Sequence, residues 1–187
     1  MKRLILIVDM IKGFIEEGAL ADPSSAAIVP GIIGYLDSHD GDVIFLADKH
    51  NKNSREFLSY PVHCVSPEES EVIGQLVPYA TRIVYKNSTN GFFALSTETD
   101  LKKYDEVVIA GVCTDICVLQ LALTLKGFYD QYDMTVPVRL LKNCVSTFDA
   151  PVHGKEEFTA ISLKLMKNAG IDIISVSYTH LRAHETS

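Results

Sequence analysis

Cys113 and Cys117 lie four apart in the apolar run AGVCTDICVL, residues 110–119. That spacing admits half a metal site, a redox pair, two core thiols, or one nucleophile beside a bystander. Thr114–Asp115 reads as a helix opening with Thr114 as N-cap, which places Cys117 in the first turn. Free N–H groups and the helix dipole favour a thiolate there and predict a lowered thiol pKa. Cys113, one step before the cap, falls in the turn itself. Two other reactive types close apolar runs: Asp9 ends RLILIVD (3–9) and Lys86 ends RIVYK (82–86). Taken singly, these are a turn carboxylate, a solvated lysine and small core thiols. Together they equip covalent acyl transfer: a thiolate attacks, a carboxyl shuttles the proton, and backbone N–H groups hold the oxyanion.

A second constellation is DKHNKNSREFLSYPVH, residues 48–63, which contains Asp48, His50, Glu56 and His63. Two imidazoles with carboxylate oxygens suit Zn²⁺, Fe²⁺ or Mn²⁺ better than the all-oxygen sites of Mg²⁺ or Ca²⁺. Spacing alone fits a polar surface loop equally well. Cys64, adjacent to His63, reads as a core residue, because neighbours seldom face one ion. Cys144 and His153 follow the fifth apolar run and read as packing or surface residues. His39 sits at a helix end, and SPEESE (66–71) reads as an acidic helix start.

The elements that must position these groups are legible as alternating patterns. Six apolar runs rich in Ile and Val, at 3–9, 42–48, 82–86, 106–111, 135–141 and 171–175, have the character of strands buried on both faces. Amphipathic stretches at 25–38, 67–78, 94–103, 114–129 and 154–169 predict helices between them. Alternation of this kind predicts an α/β domain whose parallel sheet is covered on both faces. Pro137 suits a strand start or an edge. Ligands of open parallel sheets bind beyond the carboxyl ends of the strands, where Asp9, Asp48, Lys86 and the 112–117 turn all fall.

The 187 residues are 47% hydrophobic and 22% charged, the profile of one globular domain, expected over residues 1–175. A net charge of −7 without a Lys/Arg cluster argues against nucleic-acid partners. No apolar run reaches the roughly 18–20 residues that span a bilayer. MKRLILIVDM is basic then apolar, but Asp9 interrupts it and no small-residue cleavage site follows, so it reads as a strand and not as a signal peptide. A cytoplasmic location and four reduced cysteines are therefore expected. VSYTHLRAHET (176–186) departs from the pattern of the rest and is similar to a translated sequencing-library adapter. Residues 176–187 are accordingly read as a non-native tail, and His180 and His184 are left out of the ligand arguments.

In this order, LIVDMIKGF, DKH…E…PVHC, KNSTNGFF and GVCTDICV resemble the isochorismatase-like cysteine hydrolases, and within them the nicotinamidases. The resemblance spans residues 3–175, and the G-V-x-T-D-x-C-V element is its most specific part. It implies a three-layer α/β/α fold with a six-stranded parallel sheet. By position it implies Asp9, Lys86 and Cys117 as catalytic residues. It also implies a cis peptide at Val112–Cys113, with the backbone N–H groups of Cys113 and Cys117 as oxyanion donors. Asp48, His50, Glu56 and His63 match metal ligands, with zinc first and iron or manganese next. Phe14 and Tyr60 match aromatics that sandwich a substrate ring; a Trp is common at the second position, and this chain has none. The turn after Cys64 lacks the Gly-Thr pair often found there. The implied activity is hydrolysis of nicotinamide to nicotinate and ammonia through a thioester, on a small-molecule amide, with a homo-oligomer left open. Two alternatives stand beside it: another cysteine amidase of the family acting on an N-carbamoyl or ureido compound, and a catalytically silent binding protein on the same fold.

Overall fold

The computed structural model describes residues 1–177. The tail read as non-native lies outside the described residues from position 178 onward, with His180 and His184. Six strands form one parallel sheet: β1 (Arg3–Val8), β2 (Asp42–Asp48), β3 (Ile83–Lys86), β4 (Glu106–Val112), β5 (Val138–Ser146) and β6 (Asp172–Ile174). Their spatial order is β3-β2-β1-β4-β5-β6. The chain direction of travel reverses at β1/β4, the switch point where a crevice opens in sheets of this kind.

Both sheet faces are covered, which explains the continuous apolar runs. Leu4, Leu6 and Val8 of β1 pack with Val107 and Ile109 of β4 against Leu95, Leu121, Leu125 and Met166. Those four belong to α3 (Phe92–Glu98), α4 (Leu119–Gln131) and α5 (Lys155–Asn168). On the other face Ile5, Ile7, Val108 and Ala110 meet Val29, Ile32 and Tyr35 of α2 (Val29–Ser38). The result is three layers, α/β/α.

Several boundaries differ from the sequence reading. A four-residue helix α1 (Lys12–Ile15) follows β1 and is too short to carry a period. The helix expected over 67–78 does not form; only a 3₁₀ turn, Gly74–Tyr79, is present. Its backbone is committed sideways, with Lys12 and Gly13 donating to the Glu71 and Glu69 carbonyls at 2.9 Å and Ile73 donating to Met10 at 3.1 Å. Those contacts bury Val72 and Ile73 against the end of β1. The fifth strand outlasts its apolar run: Lys142 and Asn143 bulge outward where pairing with β4 shifts register, so Cys144 lies inside β5. Pro137 immediately precedes that strand, and β5 sits between β4 and β6.

Candidate active site

Four strand ends meet at the switch point. Asp9 follows β1 with φ +52°, a left-handed backbone that turns its carboxylate back over the sheet. Its Oδ1 accepts from the Asp48 backbone N–H at 3.0 Å. Pairing of β2 with β3 sets Asp48 directly beside Lys86. Beyond β4 the Val112–Cys113 peptide is cis. The strands can close here because Gly111 has φ +120° and no side chain; a Cβ at this position would stand 2.1 Å from the Val8 carbonyl oxygen.

Cys117 lies in a wide π-helical turn, Thr114–Val118, that leads into α4. The cap position is Cys113 without a side-chain bond, and Thr114 is fully buried with Oγ1 unpartnered among the described residues. The N-cap role expected of Thr114 is thus not taken up.

Lys86, expected on its own to be a solvated strand end, is 2% exposed. Its Nζ bonds Asp48 Oδ1, stands 2.9 Å from Asp9 Oδ2 and lies 3.8 Å from Cys117 Sγ. The Asp9 approach is an ion pair without hydrogen-bond alignment, and Oδ2 has no hydrogen-bond partner among the described residues. Burial opposes charge on Lys86, but the Asp9 and Asp48 carboxylates hold its pKa well above the usual value. Burial and then the Asp48 charge raise the Asp9 carboxyl to about 6, against the pull of Lys86.

The thiol departs from the helix-start argument. Burial drives Cys117 well above the ordinary thiol range, and the nearby lysine only partly offsets it. Complete desolvation of the sulfur outweighs a partial helix-end charge, so the resting group is the thiol and needs a base. Cys113 is also pushed up by burial, to about 12.

Asp48 joins this group to a second one. Its Oδ2 lies 3.3 Å from His50 Nε2 and 3.5 Å from His63 Nε2. The other ring nitrogens are engaged outward: His50 Nδ1 to Asn87 Oδ1 at 3.2 Å, and His63 Nδ1 to the Pro61 carbonyl at 2.7 Å. Both outer partners accept, which fixes the Nδ1–H tautomers and turns two Nε2 lone pairs inward beside a carboxylate oxygen. His50 Nε2 is buried without a hydrogen-bond partner. Three acceptors converging within 4.8 Å of one another, with no donor among them, fit a divalent cation. Glu56 stands just outside that cluster, 3.9 Å from His50 Nε2, while its other oxygen accepts from the Thr89 N–H and from Thr89 Oγ1 at 2.7 Å.

Asn87, Thr89 and the Pro61 carbonyl were not singled out by residue type. Asn87 and Thr89 leave a trace in the polar KNSTN run, 86–90, whereas a backbone carbonyl such as that of Pro61 leaves none. Cys64 is a fully buried core residue whose carbonyl accepts from the His50 N–H at 2.9 Å.

A cavity of about 380 Å³ opens over this ground, lined by Asp9, Cys113, Cys117, Asp48, Glu56 and His63 among others. Phe14 and Tyr60 line it too, with ring centroids 5.7 and 6.4 Å from that of His63. Of the site residues named from the sequence, all but Lys86 and His50 line this one space, and both of those contact Asp48, which does.

Known proteins share this fold. The pyrazinamidase of Pyrococcus horikoshii, solved in complex with zinc, is 26% identical with a TM-score of 0.75, covering 94% of this chain and 100% of that one. The nicotinamidase PncA of Bacillus subtilis is 27% identical with a TM-score of 0.69, covering 92% and 99%. An uncharacterized isochorismatase family protein of Bacillus subtilis (strain 168) is 26% identical over 172 residues, 82% of this chain and 91% of its own. The isochorismatase domain model matches residues 3–177. The chain belongs to the isochorismatase family.

Proposed function

We propose that this protein is a metal-dependent cysteine amidohydrolase that converts nicotinamide to nicotinate and ammonia. One observation carries the reading: a thiol with its base and cation, and a cluster of cation-seeking donors, open onto the same cavity. A divalent ion held by Asp48, His50 and His63, with Glu56 beside them, would anchor a pyridine nitrogen and withdraw electrons from the ring; zinc heads the candidates, followed by iron and manganese.

The chain's own residues then account for each step. Phe14 and Tyr60 flank the ring. Asp9 Oδ2 takes the proton from Cys117, and the sulfur attacks the carboxamide carbon. A carbon–sulfur bond forms while the carbonyl pair moves onto oxygen. Backbone N–H groups of Cys113 and Cys117 donate to that oxygen; removing one such donor costs about 10²–10³ in rate. Asp9 returns its proton to the nitrogen, the carbon–nitrogen bond breaks and ammonia leaves. Water, deprotonated by Asp9, cleaves the thioester and restores the thiol. A carboxyl raised to about 6 both accepts and returns a proton near neutrality, and Lys86 keeps it anionic between turnovers.

Ammonia release should be measured from nicotinamide, from benzamide (which lacks the ring nitrogen) and from an N-carbamoyl amino acid. Each runs with untreated, chelator-stripped and zinc-reloaded protein of known metal content. Nicotinamide should lead benzamide by roughly 10²-fold, because the site holds a partner for the ring nitrogen. Stripping should abolish that activity and reloading should restore it. Nicotinamide turnover that survives complete metal removal contradicts the metal-anchored reading, and cleavage of the N-carbamoyl compound alone reassigns the substrate.

A further inference from the structure

Residues 147–154 connect β5 to α5 and supply Phe148 and Asp149 to the cavity wall. Ala150 and His153 exchange backbone hydrogen bonds of 3.0 and 2.9 Å, closing the segment into a tight turn. The His153 ring is stacked between Phe148 and Phe158, with centroids 3.9 Å away on each side and interplanar angles of 8° and 29°. Its Nδ1 lies 3.1 Å from the Phe148 carbonyl oxygen and its Nε2 lies 2.7 Å from Asp115 Oδ2. Both partners are acceptors. Asp115 precedes Cys117 by two positions, its side chain is 9% exposed, and its Oδ1 has no hydrogen-bond partner among the described residues. One imidazole therefore ties a wall of the cavity, the nucleophile turn and α5 together.

We infer that His153 is a positioning residue that sets substrate selectivity: it clamps Phe148 against the cavity and registers that wall to the Cys117 turn through Asp115. Phe148 stands in no strand or helix; the stack holds its ring against His153, and the carbonyl hydrogen bond ties its backbone to the same imidazole. A flat aromatic amide needs that wall in place, whereas a short aliphatic amide leaves it largely untouched. The selectivity half of the inference rests on the amidohydrolase reading; the clamp itself does not.

The clamp is tested without substrate. The chain has no tryptophan, so Phe148→Trp installs a single reporter. Adding His153→Ala should shift its emission to the red and increase acrylamide quenching; unchanged emission and quenching overturn the clamp. Selectivity is tested with Phe148 intact. His153→Ala should raise KM for nicotinamide about tenfold, hold kcat within about threefold, and leave kcat/KM for a short aliphatic amide within about twofold. His153→Phe keeps the stack but loses both hydrogen bonds, and should behave as the alanine variant does. Equal losses on both amides together with a lowered Tm indicate a folding role and overturn the inference. Wild-type kinetics in His153→Phe overturn the Asp115 link. A wild-type protein that cleaves neither amide overturns the hydrolase reading and with it the selectivity role, while the fluorescence result still decides the clamp.

Discussion

Cys117→Ala should reduce amide turnover to background, a loss of at least about 10⁴-fold, whereas Cys113→Ala should stay within about tenfold of the parent. Both cysteines line the cavity, so proximity to the pocket does not separate them. Their neighbours do. Cys117 Sγ lies 3.8 Å from Lys86 Nζ, and that ammonium stands 2.9 Å from Asp9 Oδ2, so the thiol has a counter-charge with a carboxylate base beside it. Cys113 contributes only its backbone N–H to the proposed chemistry, and alanine retains that group. Steady-state ammonia release for the two variants, beside their urea unfolding curves, makes the comparison. Similar losses in both variants at unchanged stability would contradict the assignment of one nucleophile.

Lys86→Gln should remove activity by at least about 10³-fold and also destabilise the fold by about 3–5 kcal/mol, because it leaves buried carboxylates without their cation. Asp9 and Asp48 are both nearly inaccessible, and each has an oxygen against the same ammonium. The unfolding should be measured with chelator present, so that no metal compensates Asp48. Stability and catalysis then separate in the double variant Asp9→Asn/Lys86→Gln. Removing one buried charge should recover a large part of the lost stability and none of the activity. A Lys86→Gln protein as stable as the parent would show that the carboxylates shed their charge at little cost, and the electrostatic account of the site would fall.

Much of this site is readable from strand ends. Asp9, Asp48 and Lys86 each close an apolar run, and parallel pairing brings such positions to one edge whatever the loops between them do. What composition and spacing leave open is which of those groups touch. The bond between Asp48 and Lys86 depends on the β2/β3 register, and burial of the lysine is a tertiary property that its place in the sequence does not carry. The same limit applies to Cys117, whose helix-start position argues for a low pKa while its burial, a tertiary property, pushes the other way. His153 looked like a packing residue because nothing local marks its partner: Asp115 is 38 positions away. The 67–78 segment has a helical apolar spacing, but its backbone donors and acceptors are taken by residues 10–13, a choice made across the chain and not along it. Isolated runs such as Lys142–Asn143 conceal strands for the opposite reason, since a bulge makes two polar residues welcome inside β5.

The most direct test of the central claim is a covalent one. Metal-loaded protein should be mixed with nicotinamide, quenched in acid at successive times during turnover, digested and mapped by mass. A nicotinoyl group should appear on the peptide at Cys117, with Cys113 distinguished by fragmentation, and it should disappear as substrate is exhausted. An acyl group on Cys113, or turnover with no thioester at any quench time, would contradict the mechanism.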